Sequence, residues 1–536
     1  MSVRTLTDQA SRITPAPWER REDAALLPVS ALQTRWPMLH GVVSCALLAA
    51  LGPMEPVAAL TEQAQRERSF HLSRAARDLG VLMGLGVAWY VSQIEVNKRD
   101  FDFDRSVGDQ FRRLTGDGYR FDNNDRFLNI GHSTVGAYYH LLARANGGSM
   151  AQAMVFDLAA SSAWELLVEH REVFSVNDTI TTSVGGVALG EGLYRLGDFF
   201  GRSRPTAVNR VLMGVFSPAR ALTWLYGDDL RPSAAGFDEH GLAADAHHRF
   251  ALAMGAALTG AQGWQSSLAA DLELIDLPTY GRAGRAGRGL AGGEMTRMAV
   301  ELTGTGRDMQ SLTVLARSSL WGLYRQDTRG DGAALAGHAA FLGSSTGFEL
   351  SYGDAGELTD FLTAVHLFGP SADVALHLSR WRLRLAADLY PDFAMVRPFA
   401  LDDAALGADG VPGQSTLKYG YYYALGVTAV ARAEATYRAL RAGAGVEWSG
   451  YDAIEGLDRF QHEYTSPAGV HHDAIMDDPR MTDRRLQLRL FVDGPLPGIG
   501  VRVGAGVEAV RRAGSATGAA REREDVRLTL QAIYLL

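Results

Sequence analysis

The second half of this chain alternates apolar and polar residues, segment after segment, up to its last residue. The final segment places Val526, Leu528, Leu530, Ala532, Tyr534 and Leu536 on one face and Arg527, Thr529 and Gln531 on the other. Successive side chains of a strand point to opposite faces, so this is a strand with one apolar and one polar side. The same period of two runs through Leu268–Leu274, Met298–Leu302, Trp381–Leu389, Leu417–Val427, Leu486–Leu490 and Ile499–Val507. Many such strands in series, with nothing obvious to cover their apolar faces, point to a barrel in lipid. Segments of about ten residues suit a tilted crossing of the hydrocarbon core. The fold expected is an α+β membrane protein: a helical domain, then a transmembrane antiparallel β-barrel of about 12 strands. The polar stretches Asp402–Gln414 and Asp452–Arg484 are long enough to be external loops.

A soluble sandwich would show the same alternation. Large apolar residues at alternate places up to the terminus, however, resemble the carboxy-terminal signal of outer-membrane barrels, with Leu536 in place of the usual Phe. Composition agrees with a barrel. The 52 Lys+Arg against 61 Asp+Glu leave a net charge of -9, so no nucleic-acid partner is expected. A mean hydropathy of -0.06 is low for a polytopic helical membrane protein, whereas a barrel hides its lipid face in alternation. The 59 glycines suit a β-rich chain with many tight turns.

The only cysteine, Cys45, lies in the apolar stretch Gly41–Leu51, which ends near the small residues Val57-Ala58-Ala59. This reads as a secretory signal with a start nearer Met38 than Met1, making residues 1–59 a leader. Val42-Val43-Ser44-Cys45 imitates a lipoprotein box, but the apolar run continues past the cysteine, so lipidation is not expected. Residues 60–230 read as helical, 231–246 as a Gly/Ala/Asp-rich linker and 247–536 as the barrel. His247-His248 opens the first strand and is expected to face water.

Three helices concentrate polar residues. Asn129, His132, Gly136 and His140 share one face of the first. Glu165 and Glu169 lie one turn apart on the second, with His170 off that face and solvated. The third opens Ser175-Val176-Asn177-Asp178, a capping-box spacing, and continues to Gly186, Gly190 and Glu191, where the glycine pair lets another helix approach closely. His132 has the chemistry of a base, with Glu165 or Glu169 to orient it and Asp178 to complete an acidic pocket or bind a divalent ion. These four are the catalytic candidates. The competing reading is a buried polar network in which such groups, with Asn129, His140, Ser175, Asn177 and Glu191, satisfy one another and hold the helices together. No nucleophile elbow, P-loop, dinucleotide fingerprint or zinc box is present, so no cofactor or dedicated metal site is expected.

The ordered motifs Asn129-x-x-His132, Gly136-x-x-Tyr139, Ala143-Arg144-x-x-Gly147, Trp164-Glu165-x-x-x-Glu169, Ser175-x-Asn177-Asp178 and Gly185-Gly186-x-x-x-Gly190-Glu191 run between Asp122 and Arg195. They resemble the bacterial family called domain of unknown function 3943, over a helical domain at about residues 100–225. A proline commonly follows the histidine in that family, where Ser133 stands here. The resemblance implies an outer-membrane protein with a barrel after the helical domain, and it implies no reaction. Two functions are open. One is a structural or transport barrel plugged or capped by the helical domain, with Arg380, Arg382 and Arg384 as a basic lumen wall favouring anions. The other is an envelope lipid-modifying hydrolase built on the helical cluster. The partners expected are outer-membrane lipid and, during biogenesis, the barrel-assembly machinery.

Overall fold

The computed structural model describes residues 69–92, 119–120, 126–168 and 174–536, less 261, 278, 307, 355–358, 398, 400–420, 455–461, 467–468, 474–480 and 517–518. The expected leader with Cys45, Glu169, His170 and the loop Asp402–Gln414 lie outside the described residues. Six α-helices occur among the described residues: α1 Leu72–Ser92, α2 Arg126–Ala145, α3 Met150–Ala163, α4 Val176–Arg202, α5 Ala207–Phe216 and α6 Pro218–Leu225. The last four start where hydroxyl side chains dictate. Ser149, Ser175, Thr206 and Ser217 each accept a hydrogen bond from the backbone N–H three residues on, satisfying a donor the helix leaves open.

Helix α4 is the hub, and none of its residues is exposed. Helix α2 crosses it at glycines. A Cβ on Gly186 would lie 2.5 Å from the carbonyl carbon of Gly136, and one on Gly190 2.7 Å from the Cβ of His140. The glycine spacing in α4 is thus used for close helix approach.

Twelve strands among the described residues form the barrel. They are β1 His247–Thr259, β2 Gly263–Ile275, β3 Met295–Thr305, β4 Asp308–Arg329, β5 Ala336–Asp354 and β6 Thr359–Leu378. There follow β7 Trp381–Val396, β8 Tyr422–Tyr437, β9 Leu440–Ala453, β10 Met481–Pro495, β11 Val501–Ala516 and β12 Ala519–Leu535. Each pairs antiparallel with the next, and β12 pairs with β1 to close the ring. A short strand, Gly284–Leu290, pairs with the part of β4 that extends beyond β3.

The register shows how steeply the strands tilt. The N–H of Leu536 bonds the carbonyl of Phe250. From Phe250, cross-strand partners lead through Leu272, Met298, Ala316, Phe348, Val365, Phe393 and Leu425. They continue through Asp452, Thr482 and Ser515 to Ala520, at the opposite end of β12. One circuit therefore climbs the whole last strand, the stagger expected of tilted strands. The long connections 397–421 and 454–480 both open at the end away from the chain terminus.

The inward face is identified by ion pairs between strands that are not neighbours. Arg384 of β7 bonds Glu273 of β2 as well as Asp373 of β6. Arg317 of β4 bonds Asp388 of β7 at 2.9 Å, and Arg527 of β12 pairs with Glu301 of β3 at 3.0 Å. Such contacts are possible only across a lumen. The opposite face carries exposed Leu252, Met254, Leu268, Leu385, Leu425, Trp448, Leu490, Val507 and Leu530.

Helix α4 packs on that outward face. Glu349 lines the lumen, so its neighbour Phe348 points out. Ala188 of α4 clusters with Phe348, Ala316, Val365, Phe393 and Tyr423. Gly192 meets Met298, and Leu196, Phe199 and Phe200 pack on Phe250 and Leu274. The helical domain therefore lies against the outer wall of the barrel, along the row of partners just traced. This corrects the expectation of a plug or cap in the lumen. The reason is space and polarity: the lumen is already bridged by charged side chains, while the outward positions of β1–β8 offer α4 an apolar wall.

Candidate functional site

The most enclosed polar group of the helical domain centres on His140 of α2. Its Nδ1 lies 3.1 Å from Asp157 of α3 and its Nε2 2.9 Å from Glu191 of α4, and all three side chains are fully buried. Arg144, one turn on from His140, donates from Nε and Nη2 to Glu191 at 2.8 and 2.9 Å, and Arg195 donates to it at 2.9 Å. Arg195 and Arg202 both reach Asp276 after β2, at 3.0 Å each, tying α4 to the barrel. Burial opposes a charge on His140, but Asp157 and then Glu191 outweigh it and raise its affinity for a proton. Burial pushes the Asp157 carboxyl up to about 7, with His140 pulling the other way. Burial also opposes ionising Glu191, yet Arg144, His140 and Arg195 hold it well below the usual carboxylate range. With both ring nitrogens facing carboxylates, the cluster is built to keep a proton between His140 and Asp157.

A second group gathers where α4 begins. His132 Nε2 lies 3.5 Å from Asp178, and its Nδ1 lies 3.4 Å from the Thr182 hydroxyl. Asn177 donates to Asp178 at 2.8 Å and to the Tyr423 hydroxyl at 2.9 Å, joining the helix start to β8. The Ser175 hydroxyl donates to Asn177 at 3.0 Å and accepts from the N–H of Asp178. The Ser175 N–H donates to Glu165 at 3.1 Å, from the π-helical turn Trp164–Val168 that follows α3.

The structure thus brings His132 and Asp178 together and ties Glu165 to the same helix start through Ser175. Glu169 lies outside the described residues, as does the side chain of Asn129 in α2. His140 and Glu191 belong to the separate cluster. Asp157 escaped sequence reasoning, although it is the only charged residue of α3. His247 and His248 also differ from expectation. His248 packs 5.1 Å from the Phe199 ring and lies 3.1 Å from Asp238, while His247 lines a lumen cavity, because the start of β1 is covered by α4 and loop residues.

That cavity, of about 240 Å³, occupies the lumen at the chain-terminus end. Six arginines line it, Arg249, Arg382, Arg384, Arg438, Arg441 and Arg502, against the three acids Glu273, Glu434 and Asp493. Arg382 and Arg384 are among these lining residues. Arg380 is corrected: it lies exposed in the turn between β6 and β7, because the strand begins only at Trp381.

No helix among the described residues is long and apolar enough to cross a membrane. A comparison with curated proteins returns no match. Among solved structures, the chain is similar to OmpT, an outer membrane protein of Vibrio cholerae, at 8% identity and a TM-score of 0.20, covering 54% of this chain and 97% of that one. It is similar to an anion-selective porin from Comamonas acidovorans at 9% identity and a TM-score of 0.19, covering 54% and 99%. OprD of Pseudomonas aeruginosa matches at 10% identity and a TM-score of 0.14, covering 56% and 96%. The barrel assignment rests on the closed strand register, not on these likenesses. Residues 118–219 match the family model described as Domain of unknown function (DUF3943). The matched region runs from just before α2 to the start of α6 and is followed by a closed twelve-stranded β-barrel.

Proposed function

We propose that this is an outer-membrane barrel protein whose lumen is a gated path for small anionic solutes. The observation that carries the reading is Arg384, which bonds Asp373 on the neighbouring strand and Glu273 across the lumen. Below it, the excess of arginine in the cavity attracts anions, as rings of basic side chains do in anion pores. Above it, the pairs Arg317–Asp388 and Arg527–Glu301 continue the closure. Opening the path requires parting these pairs. Buried pairs are held by geometry that one substitution destroys.

The test is conductance of the purified full-length protein in planar bilayers. Wild type is expected to conduct little, whereas Arg384→Ala raises conductance several-fold with anions preferred over cations. Equal, negligible conductance in both proteins overturns the gated path and leaves a structural barrel.

The hydrolase alternative draws support from the His132–Asp178 pair, since the His132 side chain keeps 20% of its surface exposed. Both ring nitrogens of His132 nevertheless face α4, the arrangement that tying α2 to α4 requires. The network reading of Glu165, His132 and Asp178 is the better supported.

A further inference from the structure

The helical domain has its polarity reversed. Among the described helices the charged side chains turn inward, to the His140 cluster and to the barrel, apart from Arg77 near the start of α1, while the outward faces of α1, α3 and α5 are mostly apolar. On α1, Val81, Leu85 and Trp89 recur one turn apart and are 62%, 66% and 62% exposed. On α3 and α5, Val155, Val211 and Val215 are equally open. A helical domain bathed in water arranges its faces the other way, and contiguous exposed apolar surface on this scale marks a partner.

The fold identifies the partner by position. Helix α4 follows the partner row up the outer wall, from Phe250 at the chain-terminus end to Tyr423 at the long-loop end. The wall it leaves uncovered carries the apolar belt at the same height. Leu490 and Leu530, for example, occupy outward positions between the levels of those two ends. Helices α3 and α5 stand on α4, and α1 on α2, so their apolar surface continues the belt. We infer that the helical domain lies in the hydrocarbon beside the barrel, with lipid acyl chains covering α1, α3 and α5. Lipid accepts these helices because each satisfies its own backbone hydrogen bonds and, Arg77 near the start of α1 apart, turns its charges inward. The inference rests on reading the barrel as membrane-inserted.

The experiment places single cysteines in a Cys45→Ala background at Leu85, Val211, Leu490 and Arg380. Each carries a nitroxide label in the full-length protein, reconstituted in phosphatidylethanolamine–phosphatidylglycerol vesicles. Collision with oxygen is compared with collision with a water-soluble nickel chelate. Labels at Leu85 and Val211 are expected to match Leu490, open to oxygen and several-fold less accessible to the chelate than Arg380. Chelate access at Leu85 and Val211 equal to Arg380, with Leu490 protected, overturns the inference and leaves the membrane barrel standing. Chelate access at Leu490 as well overturns both. Exclusion of both reagents with spin–spin broadening assigns the surface to a second copy, which also overturns it. A label that disturbs folding is bypassed by quenching Trp89 with brominated lipid, taken as the difference between wild type and Trp89→Phe. Loss of that difference signal has the same meaning as chelate access.

Discussion

Gly186 shows how much one hydrogen atom decides in this domain. The site has no flexible neighbour to give way: an added methyl meets the backbone of Gly136, so Gly186→Ala must push α2 and α4 apart. The expected cost is about 1–3 kcal/mol, read as an earlier thermal loss of helical circular dichroism. Gly80, in α1, has nothing within 4 Å of an added Cβ, and Gly80→Ala is expected to stabilise the helix by up to about 1 kcal/mol. His140 adds a pH dependence. Its folded-state proton affinity is raised, and that of Asp157 is raised to about 7. Groups raised in this way stabilise the fold below their unfolded values and lose that contribution as pH rises through the folded ones. Glu191 is lowered, so its contribution survives until pH falls far into the acid range. Thermal stability of the helical domain should therefore fall as pH rises through about 7, and Asp157→Asn should flatten that slope, because it removes both the raised carboxyl and the main charge that raises His140. The sequence placed His140 and Glu191 in a polar network by helical spacing. It hid Asp157 because the contact closes a gap of 17 residues between two helices, which no single-helix period reports.

Alternation made the strands legible because a barrel strand has two chemically different faces, and β10 to β12 show this plainly. It did not say which face an α-helix would cover. In β7 and β8 the outward positions hold Phe393, Tyr423 and Leu425, a pattern that suits lipid and helix alike. Irregularities at Ser319/Trp321 in β4 and at Ser345/Gly347 in β5 also shift the period in mid-strand. Arg380 was misplaced for a similar reason, since a two-residue turn keeps the spacing of the strand that follows it. The terminal strand is the element whose loss should be decisive. Removing Asp525–Leu536 takes away the partners of β1 from Thr259 to Ala251 and leaves an open edge. Unpaired backbone in lipid costs several kcal/mol per group, so the truncated protein should lose heat-modifiable migration on gels.

For the molecule as a whole, the position of α4 sets an order of assembly. Every strand it touches, from β1 to β8, is made before the strands that finish the ring, and the ring closes through β12 on β1. A helix seated on the wall can act as a former on which the first eight strands curl while the seam is still open. The seam pairs residues more than 260 positions apart, such as Gln531 and Gly255, and carries the largest loop-closure entropy in the fold. Docking the early strands on a rigid rod shortens that search, so the slow step of folding becomes the meeting of two edges already held near one curvature.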